Sequence, residues 1–552
     1  MERDEDVLVR HFRQILIWPL QLMPTDHHGG RHWERMRDAA KAGSPWQPRP
    51  GEFDCPATEF QERHYREFIT FLPYVQRFLY GEGGSEADSE ATYGRSPLHV
   101  FRRCDIQAVR VTFKDGVTID FPIAHIDLYF FYDIDIVILA FEMKGDDLPL
   151  KRVQDTMFRF GRSFPAQWDE DEEAASCPRR VAWLDAVGRE IAVSDYDERV
   201  VYLAHLGQFR SPRLSSHWDF LLAPMVPHHS DVAGPVRYRQ IEYHRMPLMA
   251  YLSLDDPFAL DDDDFYQLGM VTRPGDQDAL PHSSRLFLEF LREVCFDRFW
   301  APDKKTAAGS TRMMCNGHAF VMVGMHGRKH FSDASTGALG QFRHQLFLLT
   351  LVAHFHKAAL LLFSDRVAAL LSQLNIRDPL SVRMFKRDIR LQLEVFLRFR
   401  QRYWFREVSN QMVAAHLYSM LRNHLGTEAL FDEVQASVQN MNQYLENDDL
   451  RRQADTVVRL TVVTILGMVG TTASGFLGMN IFDFTHEAPW TKFGILMATL
   501  IPTMLLTFYT LMRSRGLSEF LDAMADERMS WRKRILAFFK IWKKRPSGHT
   551  QQ

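Results

Sequence analysis

Two runs of carboxylates, Asp169–Glu173 and Asp261–Asp264, are the densest groups in this chain able to hold a cation. A run of acids is equally the pattern of a solvated loop, so cation binding at either run stays an open expectation. The histidine pairs His27/His28, His228/His229 and His354/His356 have no further ligands at the spacing of a zinc site. There is no phosphate-binding glycine loop, no nucleophile elbow and no paired-histidine metalloprotease string. Catalysis therefore has no positive support: an enzyme is not expected, and neither is a covalently bound cofactor. Two uncharged stretches near the C-terminus read instead as membrane spans. Leu460–Phe482 runs 23 residues and Phe493–Met512 runs 20 residues without a charge, and Asp483 and Glu487 lie between them. At about 1.5 Å per residue, either stretch spans a hydrocarbon core of about 30 Å as a helix.

The first stretch is rich in small residues. Gly467/Thr471, Gly470/Ser474 and Thr471/Gly475 are each four apart, a spacing that lets helices approach closely in lipid. The second stretch is bulkier, with Leu496, Leu500, Leu505, Leu506 and Phe508, and suits contact with lipid. Two spans cannot enclose a path alone, so a pore requires several copies of the chain. Arg451, Arg452 and Arg459 precede the first span, and Arg513 and Arg515 follow the second. Between them Ile481 to Thr491 has no Lys or Arg, which puts both termini on the cytoplasmic side of an inner or plasma membrane. The tail, with Lys533, Arg534, Lys540, Lys543 and Lys544 beside Trp531, Phe538 and Trp542, reads as an interfacial helix on anionic lipid.

The rest of the chain is polar enough to stand in water. Hydrophobic residues make up 46% of the 552, charged residues 25%, and the net charge is -4. A mean hydropathy of -0.25 confines the membrane part to a minority. The balance of charge excludes the usual nucleic-acid binder. Five scattered cysteines (Cys55, Cys104, Cys177, Cys295, Cys315) with no close pair fit a reducing compartment. The acidic start, Met1 to Asp6, has no apolar segment of the signal-peptide kind.

The elements that must position the spans follow in order. Residues 1–100 read as an N-terminal extension, with the apolar stretch Ile15–Met23 broken by Pro19, a helix near 58–80, and a flexible linker at 81–96. Residues 101–335 read as an α/β cytosolic domain. Val109–Phe113, a turn at Lys114–Gly116 and Val117–Phe121 make a hairpin. Ile126–Phe131, Ile134–Glu142, Arg199–Ala204, Leu248–Leu254 and Ala319–Met325 read as further strands. Residues 336–456 form a long-helix stalk, with helices over 341–375, 379–425 and 428–456. The first span (457–482), an outer connector (483–492), the second span (493–512) and a basic amphipathic tail (513–552) complete the chain.

Gly478-Met479-Asn480 closes the first span and precedes a short acidic connector and one last span. With three long helices leading in, this placement resembles the CorA-type magnesium and divalent metal ion transporter superfamily over about residues 340–515. The aromatic that usually stands just before this string is Leu477 here, with Phe476 one place earlier. The resemblance implies a homopentamer whose last cytosolic helix continues as the pore-lining span. It implies a selectivity mouth of Gly478, Met479 and Asn480, in which five Asn480 carboxamides meet a hydrated metal ion without stripping its water. Counting down from Asn480 places Gly475, Thr471, Met468, Thr464, Leu460 and Val457 on one pore-lining face. Met468, Leu460 and Val457 would then form an apolar constriction that closes by dewetting, and Asp483 and Glu487 an acidic outer mouth. Mg2+ is the default transported ion and a candidate regulatory one, with Zn2+, Co2+ and Ni2+ left open. The expected partners are further copies of the chain, lipid and divalent cations. The alternative is a ligand-gated membrane effector or sensor, whose N-terminal domain binds a small molecule or protein.

Overall fold

The computed structural model describes residues 7–24, 30–49, 61–81, 97–169, 173–241, 244–275, 280, 283–306, 309–375 and 378–478, with scattered positions between 488 and 505. Two compact units are present, 1–438 and 439–552. Most of the expected linker, Met479 to Glu487, much of the second span and the basic tail lie outside the described residues.

Unit 1 is organised by a 14-stranded mixed sheet. Its central strand is Leu8–Leu22, which pairs antiparallel with Ile136–Pro149 on one side and Leu248–Leu254 on the other. Residues before 100 thus supply the middle of the sheet, where the sequence reads as an extension. The last nine positions of this strand are all buried, as a strand covered on both faces requires. Pro19, which has no N–H, falls where the neighbour changes. Leu248–Leu254 pairs as far as Leu16, and Arg237–Gln240 takes over from Leu20. The expected hairpin forms, with Ala108–Thr112 paired to the first half of Thr118–Phe131. The second half of that strand pairs with Leu98–Arg103.

Side chains alternate between two cores. On one face Trp18, Phe141, Trp183 and Trp218 cluster, with Trp183 and Trp218 edge to face at 5.4 Å. On the other, the Phe347–Ser372 helix lies on the sheet and stacks Phe355 on Phe131 at 3.8 Å. Among the described residues, this helix with its lead-in, Ala338–Ser372, is long and apolar enough to cross a membrane. Its most apolar window is 83% buried within the protein, so it serves as a core helix.

A single turn of π-helix, Phe342–Leu346, leads into it. The extra residue per turn aims Arg343 at the sheet between buried Phe342 and Leu346. There Glu142, fully buried, accepts from Arg343 Nε at 2.9 Å and Arg13 Nη1 at 2.5 Å, with His125 Nδ1 at 3.1 Å. Burial alone would raise the Glu142 carboxyl, but the surrounding positive charge outweighs it and holds the group below the usual carboxylate range. The lowering comes from His125, Arg343 and Arg13 together, while burial lowers the His125 pKa itself.

Three expected elements differ. Where one helix is expected near 58–80, the described residues 61–80 hold two, Glu62–Thr70 and Pro73–Tyr80, because the residue before a proline is pushed out of the helical region. Arg199–Phe209 is a helix, although its β-branched start reads as a strand. The helix expected over 379–425 divides into Pro379–Arg402 and Met412–Leu425. Between them Tyr403 donates its hydroxyl to Asp133, and its carbonyl lies against His356 Nε2. Those tertiary bonds replace helix continuation, since buried backbone groups need partners wherever they go.

Candidate permeation helix

The helix expected at 428–456 and the span that follows it are one element. Thr427–Gly478 runs 52 residues without interruption, after Gly426 in left-handed conformation ends the preceding helix. Small and apolar residues replace charge along its second half, while helical hydrogen bonding continues.

The lining face expected on this helix has a consistent environment. Val457, Leu460, Thr464, Met468, Thr471, Gly475 and Gly478 are all exposed on the protomer. Val457, Leu460 and Met468 are 62%, 67% and 68% exposed. Burying such a side chain fully is worth about 1.5–3 kcal/mol, so this face calls for lipid or another copy of the chain. A Cβ added to Gly467, Gly475 or Gly478 would meet nothing within 4 Å among the described residues. Packing within the chain therefore does not demand glycine at these three positions. Gly470 differs, because a Cβ there would stand 3.3 Å from Thr503 Cγ2 of the following span. Close approach to the second span accounts for this one glycine.

The threonines on the face are pre-set as acceptors. Thr464 Oγ1 donates to the Leu460 carbonyl at 2.9 Å, and Thr471 Oγ1 donates to the Gly467 carbonyl at 2.8 Å. With the proton used inside the helix, each hydroxyl offers only lone pairs outward. The water around a cation turns its hydrogens outward, and a wall of acceptors can bind that shell. The shell of an anion turns oxygens outward and finds no donors there.

Of the expected mouth, Gly478 is the last described residue of the helix, while Met479, Asn480 and the connector acids Asp483 and Glu487 lie outside the described residues. The acidic runs have local roles in what is described. Asp261 accepts from the Asp264 backbone N–H at 2.9 Å and caps the Asp262–Met270 helix. Glu173 takes an ion pair from Lys114 Nζ at 2.8 Å. No group of three or more His, Cys, Asp or Glu side chains arranged for a metal ion occurs among the described residues. His356 is buried between Tyr403 and Tyr418, and His228 and His229 pack with His205 and Phe209. Cys104, Cys177, Cys295 and Cys315 are unbonded thiols.

One cluster brings a serine, a histidine and an aspartate together without the relay of a nucleophile. Ser215 Oγ donates to Asp195 at 2.9 Å and lies 2.9 Å from His217 Nδ1. The serine stands between acid and imidazole, and both Ser215 and His217 are fully buried. No substrate reaches them, and the cluster ties a loop to the core. The Glu142 network and the contacts of Asp133 escape a sequence reading, since Arg13, Arg343 and Arg402 stand 129, 201 and 269 residues from the carboxylates they meet. The aromatic and basic string Arg402-Tyr-Trp-Phe-Arg406 was the available signal, and it reads as a helix face. No protein-family model, no curated protein and no solved structure matches this chain.

Proposed function

We propose that this chain is the protomer of a homo-oligomeric divalent cation channel or transporter, with the Thr427–Gly478 helix lining the pore. The observation that carries the reading is the outward-facing stripe from Val457 to Gly478, apolar at its lower end and formed of acceptors and glycine above. A helix turned toward other copies of itself would present such a stripe to a shared axis. The oligomer is a pentamer if the likeness of Gly478-Met479-Asn480 to the CorA superfamily holds. The mouth then passes Mg2+ with its inner water shell intact, because dehydration of that ion is costly. Asp483 and Glu487 raise the local cation concentration outside, and the cytosolic unit gates the helix. Both termini face the cytoplasm of an inner or plasma membrane.

The test is ion flux into liposomes holding the purified full-length chain, with Mg2+ and Zn2+ supplied separately. Flux is expected for at least one ion, and Asn480→Ala is expected to reduce it at least tenfold, roughly the worth of one lost hydrogen-bonding ring. Absence of flux for both ions, at low and high internal Mg2+, overturns the channel reading. Flux that is indifferent to Asn480→Ala moves the mouth elsewhere.

A further inference from the structure

Like charges placed directly opposite one another on paired strands repel, and a buried charge ordinarily has a counter-charge. Arg162 and Arg245 are a like-charged pair of this kind. They face each other in an antiparallel bridge, between the turn after the Leu150–Arg159 helix and the lead into Leu248–Leu254. The flanking bonds run from Ser163 N–H to the His244 carbonyl at 2.7 Å and from Met246 N–H to the Gly161 carbonyl at 2.9 Å. That pattern makes Arg162 and Arg245 a non-hydrogen-bonded pair, whose side chains leave the ladder on one face and at close range. Both guanidiniums then pack on a single ring. Their Cζ atoms lie 5.0 and 5.7 Å from the Phe158 centroid.

No acid balances the two charges. Arg162 donates Nε to the Phe158 carbonyl at 3.2 Å and Nη1 to His244 Nε2 at 3.0 Å. Arg245 donates Nη2 to the Val271 carbonyl at 2.7 Å. These acceptors are neutral, since burial lowers the His244 pKa and both arginines lower it further. Of the acids on the same segments, Asp155 is paired with Arg159 and Asp195 with Arg213. Arg162 is 5% exposed and Arg245 half-buried. Burial pushes the Arg245 guanidinium down to about 9, with Arg162 adding to the shift, and it lowers Arg162 as well. Both stay charged at pH 7.

Two donors are left over. Arg162 Nη2 and Arg245 Nη1 have no acceptor among the described residues, yet neither is sealed from solvent. Arg245 Nε, by contrast, is sealed and reaches no ligand. A cation is repelled from this place, and an apolar ligand would leave both charges unpaired. A carboxylate balances one of the two. A phosphate or sulfate dianion balances both, and its oxygens match the planar fork of each guanidinium.

We propose that Arg162 and Arg245 form a binding site for a small tetrahedral oxyanion, which bridges their outward Nη atoms. Phosphate and sulfate share that chemistry. The bound ion ties together three segments, because Arg245 also holds the Val271 carbonyl at the end of the Asp262–Met270 helix. The site lies within unit 1 and does not depend on the channel reading.

The test follows the melting temperature of the full-length protein in detergent as inorganic phosphate replaces chloride at constant ionic strength. Sulfate in place of phosphate is the second arm, and the tighter of the two identifies the preferred ion. With at least one of them the melting temperature is expected to rise and to saturate, since an ion held only by the folded state stabilises it. The general stabilising effect of these anions does not saturate and is common to wild type and variants. Arg245→Gln removes one charge, and it should weaken the fitted affinity about tenfold or more, the worth of one charged hydrogen bond. Arg162→Gln should do at least as much, and the half-buried Arg245 keeps the test open if Arg162→Gln fails to fold. A rise that never saturates with either ion overturns the proposal, as does the lack of any rise. So does a saturating rise that Arg245→Gln leaves intact. None of these outcomes reads ion flux, so the channel reading stands or falls separately.

Discussion

Glu142→Leu should destabilise unit 1 by about 3–5 kcal/mol, the usual cost of removing one partner from a buried ion pair. Arg13 and Arg343 both end on this carboxylate, and its side chain has no exposure to water. Without it both guanidiniums lose this counter-charge, and the Arg13 side chain is only 11% exposed. The melting temperature of the full-length protein measures the loss. A triple variant, Glu142→Leu with Arg13→Met and Arg343→Met, should recover much of it, since apolar replacement of a whole buried network is often neutral. The pH dependence follows from the depressed carboxyl pKa. A group whose folded pKa lies below its unfolded value stabilises fully above the unfolded pKa, near the ordinary glutamate value of about 4.3. That stabilisation is lost as pH falls through the lower, folded value. Wild-type protein should therefore lose stability on acidification below about pH 4.5 more steeply than the triple variant does. Equal acid sensitivity of the two would mean that Glu142 is not the group responsible.

Gly475→Leu separates conduction from folding. Among the described residues nothing lies within 4 Å of a Cβ at this position, so the variant should melt as the wild type does. In an assembly with Gly475 at the axis, one leucine from every copy enters the path at the same level. Flux should then fall roughly tenfold or more, toward that of empty liposomes, because an apolar ring at a narrow point excludes water and with it the ion. Gly470→Leu gives the converse control. Its Cβ meets Thr503 of the next span, so that variant should disturb span packing and melting as well. Undiminished flux through Gly475→Leu would place the stripe against lipid and the path somewhere else.

Much of the local structure is readable directly from residue order. Leu248–Leu254 forms a strand over the very residues that suggest one, and the Lys114–Gly116 turn joins two strands that pair as expected. These are short-range patterns, in which β-branched and aromatic runs end at turn residues. The uninterrupted helix to Gly478 also follows from local composition, as glycines spaced along an apolar stretch are tolerated where no proline or charge intervenes. Where local pattern misleads, a distant partner is the reason. Arg199–Phe209 has strand-forming residues but a helical backbone, and the helix expected over 379–425 breaks where Asp133 and His356 hold Tyr403.

Sequence by itself determined the positions with helical periodicity from Val457 to Gly478, the lack of charge along them, and the chemistry they could support. Tertiary structure alone decided which apolar helix is a core element. Phe347–Ser372 is as apolar as a membrane span, yet the sheet surface of Tyr129 and Phe131 covers it. It also decided that Leu8–Leu22 occupies the centre of the sheet. That Glu142 answers two arginines, 129 and 201 residues away, follows from the same pairings, as does the bridge from Asp133 to Arg402. The physical reason is one of range. Periodicity, capping and turn chemistry act over a few residues, whereas burial and charge pairing depend on which segments the fold brings together.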